Sequence, residues 1–97
     1  MKVFNDLEFK LRDFGGVGAT HTFENGITIS VQAGSGPYST PRKDLTSPDD
    51  FSTFEVALMD VNSNFNTKDF TPNTSDDVLG WQDRGEINAL MLLIQSS

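Results

Sequence analysis

The sequence predicts an α+β fold, a small antiparallel sheet of three to four strands with a C-terminal helix packed on one face. Two observations lead to this prediction. Apolar residues alternate through residues 17–33 on both sides of Asn25-Gly26, which is the pattern of a β-hairpin. Near the C-terminus, apolar residues recur instead at helical spacing. The chain has 97 residues, enough for one domain with one modest core.

The first predicted element is a strand that ends near Asp13. It is indicated by three alternating apolar residues, Leu7, Phe9 and Leu11. A short helix that uses Val3, Phe4 and Leu7 is the alternative interpretation of the same segment.

Burial decides the register of the hairpin. A two-residue Asn25-Gly26 loop would divide the apolar residues between both faces, whereas a three-residue loop over 24–26 places them on one face. We therefore expect Phe23 to lie across from Ile27, with a bulge at Gly26. His21, the only histidine, then lies on the apolar face or at its rim, and we interpret it as structural. The opposite face should be wet or cover a polar partner, and carries Thr20, Thr22, Thr28, Ser30 and Gln32.

A long irregular loop is predicted for residues 34–50, and its prolines and polar residues favour mobility. Residues 51–60 return to a strand pattern. Phe54, Val56 and Leu58 face one way, and Glu55, Ala57 and Met59 face the other. The asparagine-rich stretch that follows is expected to turn, with a short fourth strand near Phe70 as an option. Residues 71–80 are predicted to form a loop.

The last segment predicts a helix. Its apolar residues stand at positions i, i+3, i+4 and i+7, and are Ile87, Leu90, Met91 and Ile94. Asp83 is placed to cap the first turn, and Glu86 three residues later completes a capping-box pattern. Leu92 and Leu93 widen the apolar stripe, so we expect this helix to be well covered.

Charge and composition exclude several classes of function. Seven basic and fourteen acidic residues give a net charge of −7, which argues against direct binding to nucleic acid or to an anionic membrane. The chain has no cysteine, and therefore no disulfide, thiolate nucleophile or cysteine-based zinc site. We expect neither a secretory signal nor a membrane span, because no long apolar run is present.

No constellation of residues indicates catalysis, so we expect a protein that is not an enzyme and needs no cofactor. Asp60-x-Asn62-x-Asn64 begins like a calcium loop, but its sixth and twelfth positions are Phe65 and Thr71, where glycine and glutamate are needed. The aspartate pairs at 49–50 and 76–77 are better explained as caps than as a metal site.

Aromatic and charged residues in the predicted loops are the candidates for contact with a partner, because loop aromatics are common interface anchors. The alternative is that these aromatics cover the edge of the core. The candidate residues are Tyr38, Arg42, Lys43, Asp49, Asp50, Phe65, Asp76, Asp77 and Trp81.

Three stretches in order resemble a group of small accessory proteins of tailed bacteriophages and prophages. They are Phe23-Glu24-Asn25-Gly26 with the strand that follows it, Phe54-Glu55-Val56-Ala57-Leu58, and Thr74-Ser75-Asp76-Asp77-Val78-Leu79-Gly80-Trp81 before the last helix. The resemblance covers roughly residues 17–94. The chain departs from this pattern in its long 34–50 loop and its asparagine-rich 61–70 segment.

The resemblance implies a phage accessory protein that acts in the cytoplasm of the bacterial host. We expect it to bind and modulate a host or phage protein, for example as an inhibitor of antiviral defence of the anti-CRISPR kind. The alternatives are a protein that sequesters a nucleotide or small ligand, a nucleic-acid mimic, and a virion or assembly component.

Overall fold

The computed structural model describes residues 1–71 and 77–97. Its described part is an antiparallel five-stranded sheet with the strands in chain order, and a helix packs across one face. The strands are β1 (Lys10–Leu11), β2 (Val17–Thr22), β3 (Thr28–Ala33), β4 (Phe54–Met59) and β5 (Val78–Gln82). The helices are α1 (Thr67–Phe70) and α2 (Arg84–Gln95), with 3₁₀ turns at Phe4–Asp6 and Pro48–Asp50. No described helix is long and apolar enough to cross a membrane.

The face of the sheet under α2, here called the covered face, forms the core. Ile87, Met91 and Ile94 of the helix are fully buried against it. The sheet contributes the alternate residues Val17, Ile29, Val31, Phe54, Val56 and Leu58. Phe4 and Phe9 close one end by packing on Phe54, with ring centroids 5.1 and 5.7 Å away. Burial on one face only is the common arrangement for a small antiparallel sheet.

The predicted hairpin register is confirmed. Ala19 pairs with Val31 and His21 with Ile29, and the Phe23 N–H donates to the Ile27 carbonyl at 2.8 Å. Gly26 closes the turn with φ 89°, a conformation that glycine adopts without steric cost. His21 is half-buried, with its ring edge-on to Phe23 at 4.8 Å. The opposite face is largely wet, as expected, although Ser30 is buried.

The capping of α2 is also confirmed. The Asp83 carboxylate accepts from the Glu86 N–H at 2.8 Å, and the Glu86 carboxylate accepts from the Asp83 N–H at 3.0 Å. The expectation that the whole helix is well covered was wrong. Leu92 and Leu93 are 41% and 50% exposed, because only the i, i+3, i+4 stripe reaches the sheet.

The count of three to four strands was too low. The predicted loop over 71–80 contains the start of β5, in which Val78 pairs with Ala57 and Leu79 with Val56. Phe70 belongs to α1 and not to a strand. The Thr67 hydroxyl accepts from the Leu58 N–H at 2.9 Å and donates to the Asp77 carbonyl at 2.6 Å. This buried residue therefore links β4 to the start of β5.

At the N-terminus both interpretations hold in part. A 3₁₀ turn occupies Phe4–Asp6, and the strand is reduced to Lys10–Leu11. Leu7 and Phe9 pack against the core, whereas Leu11 is exposed. The alternation of apolar residues therefore correctly indicated that Leu7 and Phe9 are partly buried, but it failed at Leu11.

The 34–50 loop is irregular, but specific hydrogen bonds fix it. The buried Ser39 hydroxyl donates to the carbonyl of Gly34 and accepts from the Gly34 N–H, both at 3.1 Å. The Asp44 carboxylate accepts from both the N–H and the hydroxyl of Ser35. A bridge between Thr40 and Thr53 ties the loop to the chain before β4. These side chains satisfy backbone groups of the loop, and its mobility stays a prediction.

Candidate functional site

The face of the sheet opposite α2, here called the open face, has two chemically different halves. Residues of β2 and β3 give a polar half, formed by Thr20, Thr22, Thr28, Ser30 and Gln32. Residues of β4 and β5 give an apolar half, formed by Ala57, Met59 and Val78 beside Glu55. None of the helices in residues 1–71 and 77–97 covers this apolar half, in which Met59 and Val78 are partly exposed.

An aromatic cluster of Tyr38, Trp81 and Arg42 lies beside the apolar half. The two rings stack with centroids 5.0 Å apart and planes inclined by 29°. The guanidinium carbon of Arg42 lies 5.1 Å from the centroid of the Tyr38 ring, a cation–π distance. Tyr38 is 43% exposed and Trp81 is 54% exposed. Two large rings are thus displayed together and partly open to solvent.

The backbone holds this cluster in place. The Tyr38 N–H donates to Glu55 Oε2 at 2.9 Å, and the Tyr38 carbonyl accepts from the Trp81 N–H at 2.9 Å. Tyr38 is therefore tied to both β4 and β5. A side chain at Gly80 would lie 2.9 Å from Tyr38 Cβ, so the small residue there permits the close approach.

Trp81 adopts a backbone conformation that its residue type disfavours. Its φ is 54°, and it lies in the bulge that shifts the β4–β5 register between Phe54 and Val56. A non-glycine residue in this left-handed region costs about 1–2 kcal/mol. Strained residues of this kind cluster at functional sites, where the surrounding structure over-determines them.

Phe65 lies at the other end of the apolar half and is 55% exposed. It forms an isolated bridge with Met59. The preceding turn is built by the Asp60 carboxylate, which accepts from the N–H groups of Asn62 and Asn64 at 2.9 and 3.1 Å. The resemblance of this stretch to a calcium loop thus reflects a carboxylate that caps backbone donors.

Between the two ends lies a shallow groove of about 220 Å³, here called the open-face groove. Its floor contains Ser30 and Ala57, both buried although they point away from the core. It is lined by Ser30, Gln32, Glu55, Ala57, Met59, Phe65 and Val78. This volume lies below the roughly 300–1,000 Å³ typical of small-molecule pockets, and it is better suited to a single side chain of a partner.

The structure brings together four of the predicted partner-binding residues, Tyr38, Arg42 and Trp81 in the aromatic cluster and Phe65 at the far end of the groove. Asp49 and Asp50 lie elsewhere, in the Pro48–Asp50 3₁₀ turn, which packs beside the N-terminus of α2. Arg84 donates there to the carbonyls of Pro48 and Phe51 at 2.8 and 2.9 Å.

The remaining predicted residues do not join the cluster. Lys43 is exposed in the 34–50 loop. Asp77 forms an ion pair with Lys68 at 3.9 Å, and both side chains are more than half exposed, so the pair adds little stability. Asp76 lies outside the described residues.

Sequence reasoning missed the residues that form the floor and walls of the groove, above all Glu55, Ala57 and Met59. The alternation of β4 had already placed these three on the face away from the core. Two of them are apolar, and apolar residues on a face expected to be wet were the available signal.

A larger concavity of about 810 Å³ lies between the hairpin turn and the end of α2, and it is lined in part by His21, Phe23 and Asn25. By volume it is the better place for a small ligand. Two of its amide side chains are committed to internal bonds, whereas the side chains of Lys2, His21 and Glu24 bond to none of the described residues. Asn25 donates to the Ile94 carbonyl at 2.9 Å, and Gln95 donates to the carbonyls of Lys2 and Met91. We favour the open face, which displays the aromatic cluster, as the functional site.

Two further observations concern metal binding and relatives. Within residues 1–71 and 77–97, no group of three or more His, Asp and Glu side chains is arranged to hold a metal ion. Comparison with protein-family models, with curated proteins and with solved structures gives no match. The functional argument therefore depends on the geometry of the open face.

Proposed function

We propose that this chain is a non-enzymatic binding protein whose open face contacts a protein partner through the aromatic cluster. The observation that carries the proposal is the stacked Tyr38–Trp81 pair, with both rings partly exposed and the Trp81 backbone strained. Tryptophan, tyrosine and arginine are the residue types enriched in the energetic centres of protein interfaces, and this cluster contains all three.

The rigidity of the cluster supports a role in binding. Tyr38 is tied to β4 and β5 by its backbone and packs against Gly80. Anchors that are already ordered lose little conformational entropy when a partner binds.

The biological setting we propose is a phage accessory protein in the cytoplasm of a bacterial host, where it modulates a host or phage protein. Inhibition of an antiviral defence system is one such role. Support for this setting comes from the three ordered motifs and from the net charge of −7, which favours a protein partner over nucleic acid.

The test compares affinities for a partner identified by capture from bacterial lysate and then purified. Tyr38→Ala removes the ring but keeps the Cβ that contacts Gly80 and the backbone that bonds to Glu55 and Trp81. We expect this variant to weaken binding by about thirtyfold or more, since truncated hot-spot aromatics cost roughly 2 kcal/mol or more.

Leu93→Ala is the matched control, because Leu93 is also half-exposed and apolar but lies on α2 at the other side of the molecule. It should leave the affinity unchanged. Equal affinities for the Tyr38 variant and the unaltered protein would contradict the proposal. Incorporation of the chain into purified phage particles in stoichiometric amounts would favour a virion component instead.

A further inference from the structure

The open-face groove changes character along its length. At one end its walls are apolar, formed by Met59, Phe65 and Val78 above the Ala57 floor. At the other end it is bordered by Gln32 and by the Glu55 carboxylate. A groove with an aliphatic wall and a charged end matches a long side chain that has an apolar stem and a polar head.

The charged end of the groove offers acceptors. Glu55 uses Oε2 to accept from the Tyr38 N–H, which orients the carboxylate and leaves Oε1 available. Gln32 donates through Nε2 to the Ser30 hydroxyl at 3.2 Å, so its amide oxygen is also left to accept. In residues 1–71 and 77–97 no Lys or Arg lies within ion-pair distance of Glu55. This end of the groove thus presents Glu55 Oε1 and the Gln32 amide oxygen as acceptors that are not paired with a positive charge of the described residues.

Trp81 of the aromatic cluster, which is 54% exposed, adds a second attraction for a cation, whereas the Tyr38 ring already stacks on Trp81 and holds the Arg42 guanidinium at 5.1 Å. Glu55 is bonded to the backbone of Tyr38, so the stacked Tyr38–Trp81 rings lie next to the charged end of the groove. Aromatic ring faces attract guanidinium and ammonium groups within about 6 Å. The net charge of −7 would also draw a basic segment toward the protein as a whole.

We infer that the open-face groove receives an arginine or lysine side chain from the protein partner. The stem would lie over Ala57 and Met59, and the head would donate to Glu55 beside the aromatic cluster. This inference rests on the proposed function and specifies the chemistry of the partner. In this inference, Glu55 selects a basic side chain, and the Tyr38 and Trp81 rings provide binding energy for the partner whatever that side chain is.

The test uses short alanine-based peptides with one central residue, either arginine, lysine or citrulline, titrated into the ¹⁵N-labelled protein. Citrulline has the shape of arginine without its charge. We expect the basic peptides to produce saturable shifts in the backbone amides of Glu55, Ala57 and Val78. The citrulline peptide should bind about tenfold more weakly, the size of effect given by one charge-assisted hydrogen bond. Comparison of the arginine and lysine arms identifies the preferred head group.

Glu55→Gln removes the charge but keeps an oxygen that accepts from the Tyr38 N–H, so the cluster remains in place. We expect it to weaken binding of the basic peptides about tenfold and to leave citrulline binding unchanged. Glu24→Gln is the matched control, since it makes the same change in net charge at an exposed turn residue. Equal loss in both variants would show nonspecific attraction by net charge and overturn the inference.

Absence of shifts up to millimolar peptide, or equal binding of citrulline and arginine, would also overturn it. The proposed function is tested separately with the purified partner. If Tyr38→Ala weakens the complex and Glu55→Gln does not, the open face remains the proposed binding face, but the inference that the groove receives a basic side chain is overturned. If neither variant weakens the complex, the proposed function itself fails.

Discussion

The covered and open faces of the sheet are made by the same strands but are built for different purposes. On the covered face, β3 and β4 place side chains that are almost fully buried under α2. On the open face, β4 presents Ala57 and Met59 beside partly exposed aromatic rings, and no helix of the described part of the chain lies above them. The difference teaches that the hydrophobic core of this small domain lies on one face, and the other face is the one that we propose contacts a partner.

The largest expected effect comes from truncation on the covered face. Phe54 is fully buried and contacts the rings of Phe4, Phe9 and Phe51. Phe54→Ala should lower the free energy of unfolding by about 3–5 kcal/mol. Met59→Ala on the open face should cost about 1 kcal/mol or less, because that side chain is only partly buried. Urea denaturation of both variants measures the contrast, and similar losses would break the comparison.

The link between β4 and β5 should give the next largest effect. Thr67 is buried, and its hydroxyl bonds the Leu58 N–H and the Asp77 carbonyl. Thr67→Val keeps the shape but leaves these groups without their partner, which should cost about 1–3 kcal/mol. Thr71→Val is the control, since within residues 1–71 and 77–97 its hydroxyl bonds only the Thr67 carbonyl, at a partly exposed site. If the Thr67 variant were as stable as the unaltered protein, the claim that the Thr67 hydroxyl holds β5 to β4 would be contradicted.

The strain at Trp81 predicts a smaller difference, one that separates stability from binding. With φ at 54°, glycine is tolerated better than alanine at this position. Trp81→Gly should therefore be more stable than Trp81→Ala by about 1 kcal/mol. Both variants lack the ring and should bind the partner equally weakly. Thermal denaturation together with affinity measurement checks this, and a more stable alanine variant would argue against backbone strain.

The smallest effect concerns the loop that carries Tyr38. Hydrogen bonds from the Ser35 backbone and hydroxyl, with the nearby positive charge of Arg12, lower the pKa of the exposed Asp44 carboxyl. A carboxyl with a lowered pKa stabilises the fold above its unfolded pKa, and this contribution is lost as the pH falls through the folded pKa. Asp44→Asn should thus be slightly less stable than the unaltered protein near neutral pH. The difference should vanish well below about pH 4, as followed by urea denaturation across pH.

Much of the covered face could be predicted from the sequence, because burial imposes a period on the residues that form it. The alternation of residues 17–33 gave the hairpin register, and the helical spacing from Ile87 to Ile94 gave the face of α2. Strand β5 was missed because its pattern is interrupted by Gly80 and the bulge at Trp81. Its pairing depends on β4 and on Thr67, which lie outside the segment whose pattern was considered.

The candidate site could be predicted only in its aromatic residues and in Arg42. Tyr38, Phe65 and Trp81 stood out as large rings in predicted loops, and the structure places all three at the borders of the open face. Their assembly could not be foreseen, because the stacking of Tyr38 on Trp81 depends on a backbone bond between residues 43 positions apart. Glu55 was read as an ordinary outward-facing strand residue, and only the fold shows its position beside the groove.

The central claim is that the open face, and not the helix side, contacts the partner. Photo-crosslinking in bacterial cells tests it directly, with a benzoylphenylalanine side chain at Phe65 or at Leu93, which are similarly exposed. We predict that position 65 crosslinks to one protein, that Tyr38→Ala abolishes this product, and that position 93 gives none. Crosslinking of that same protein from position 93, with none from position 65, would contradict the account.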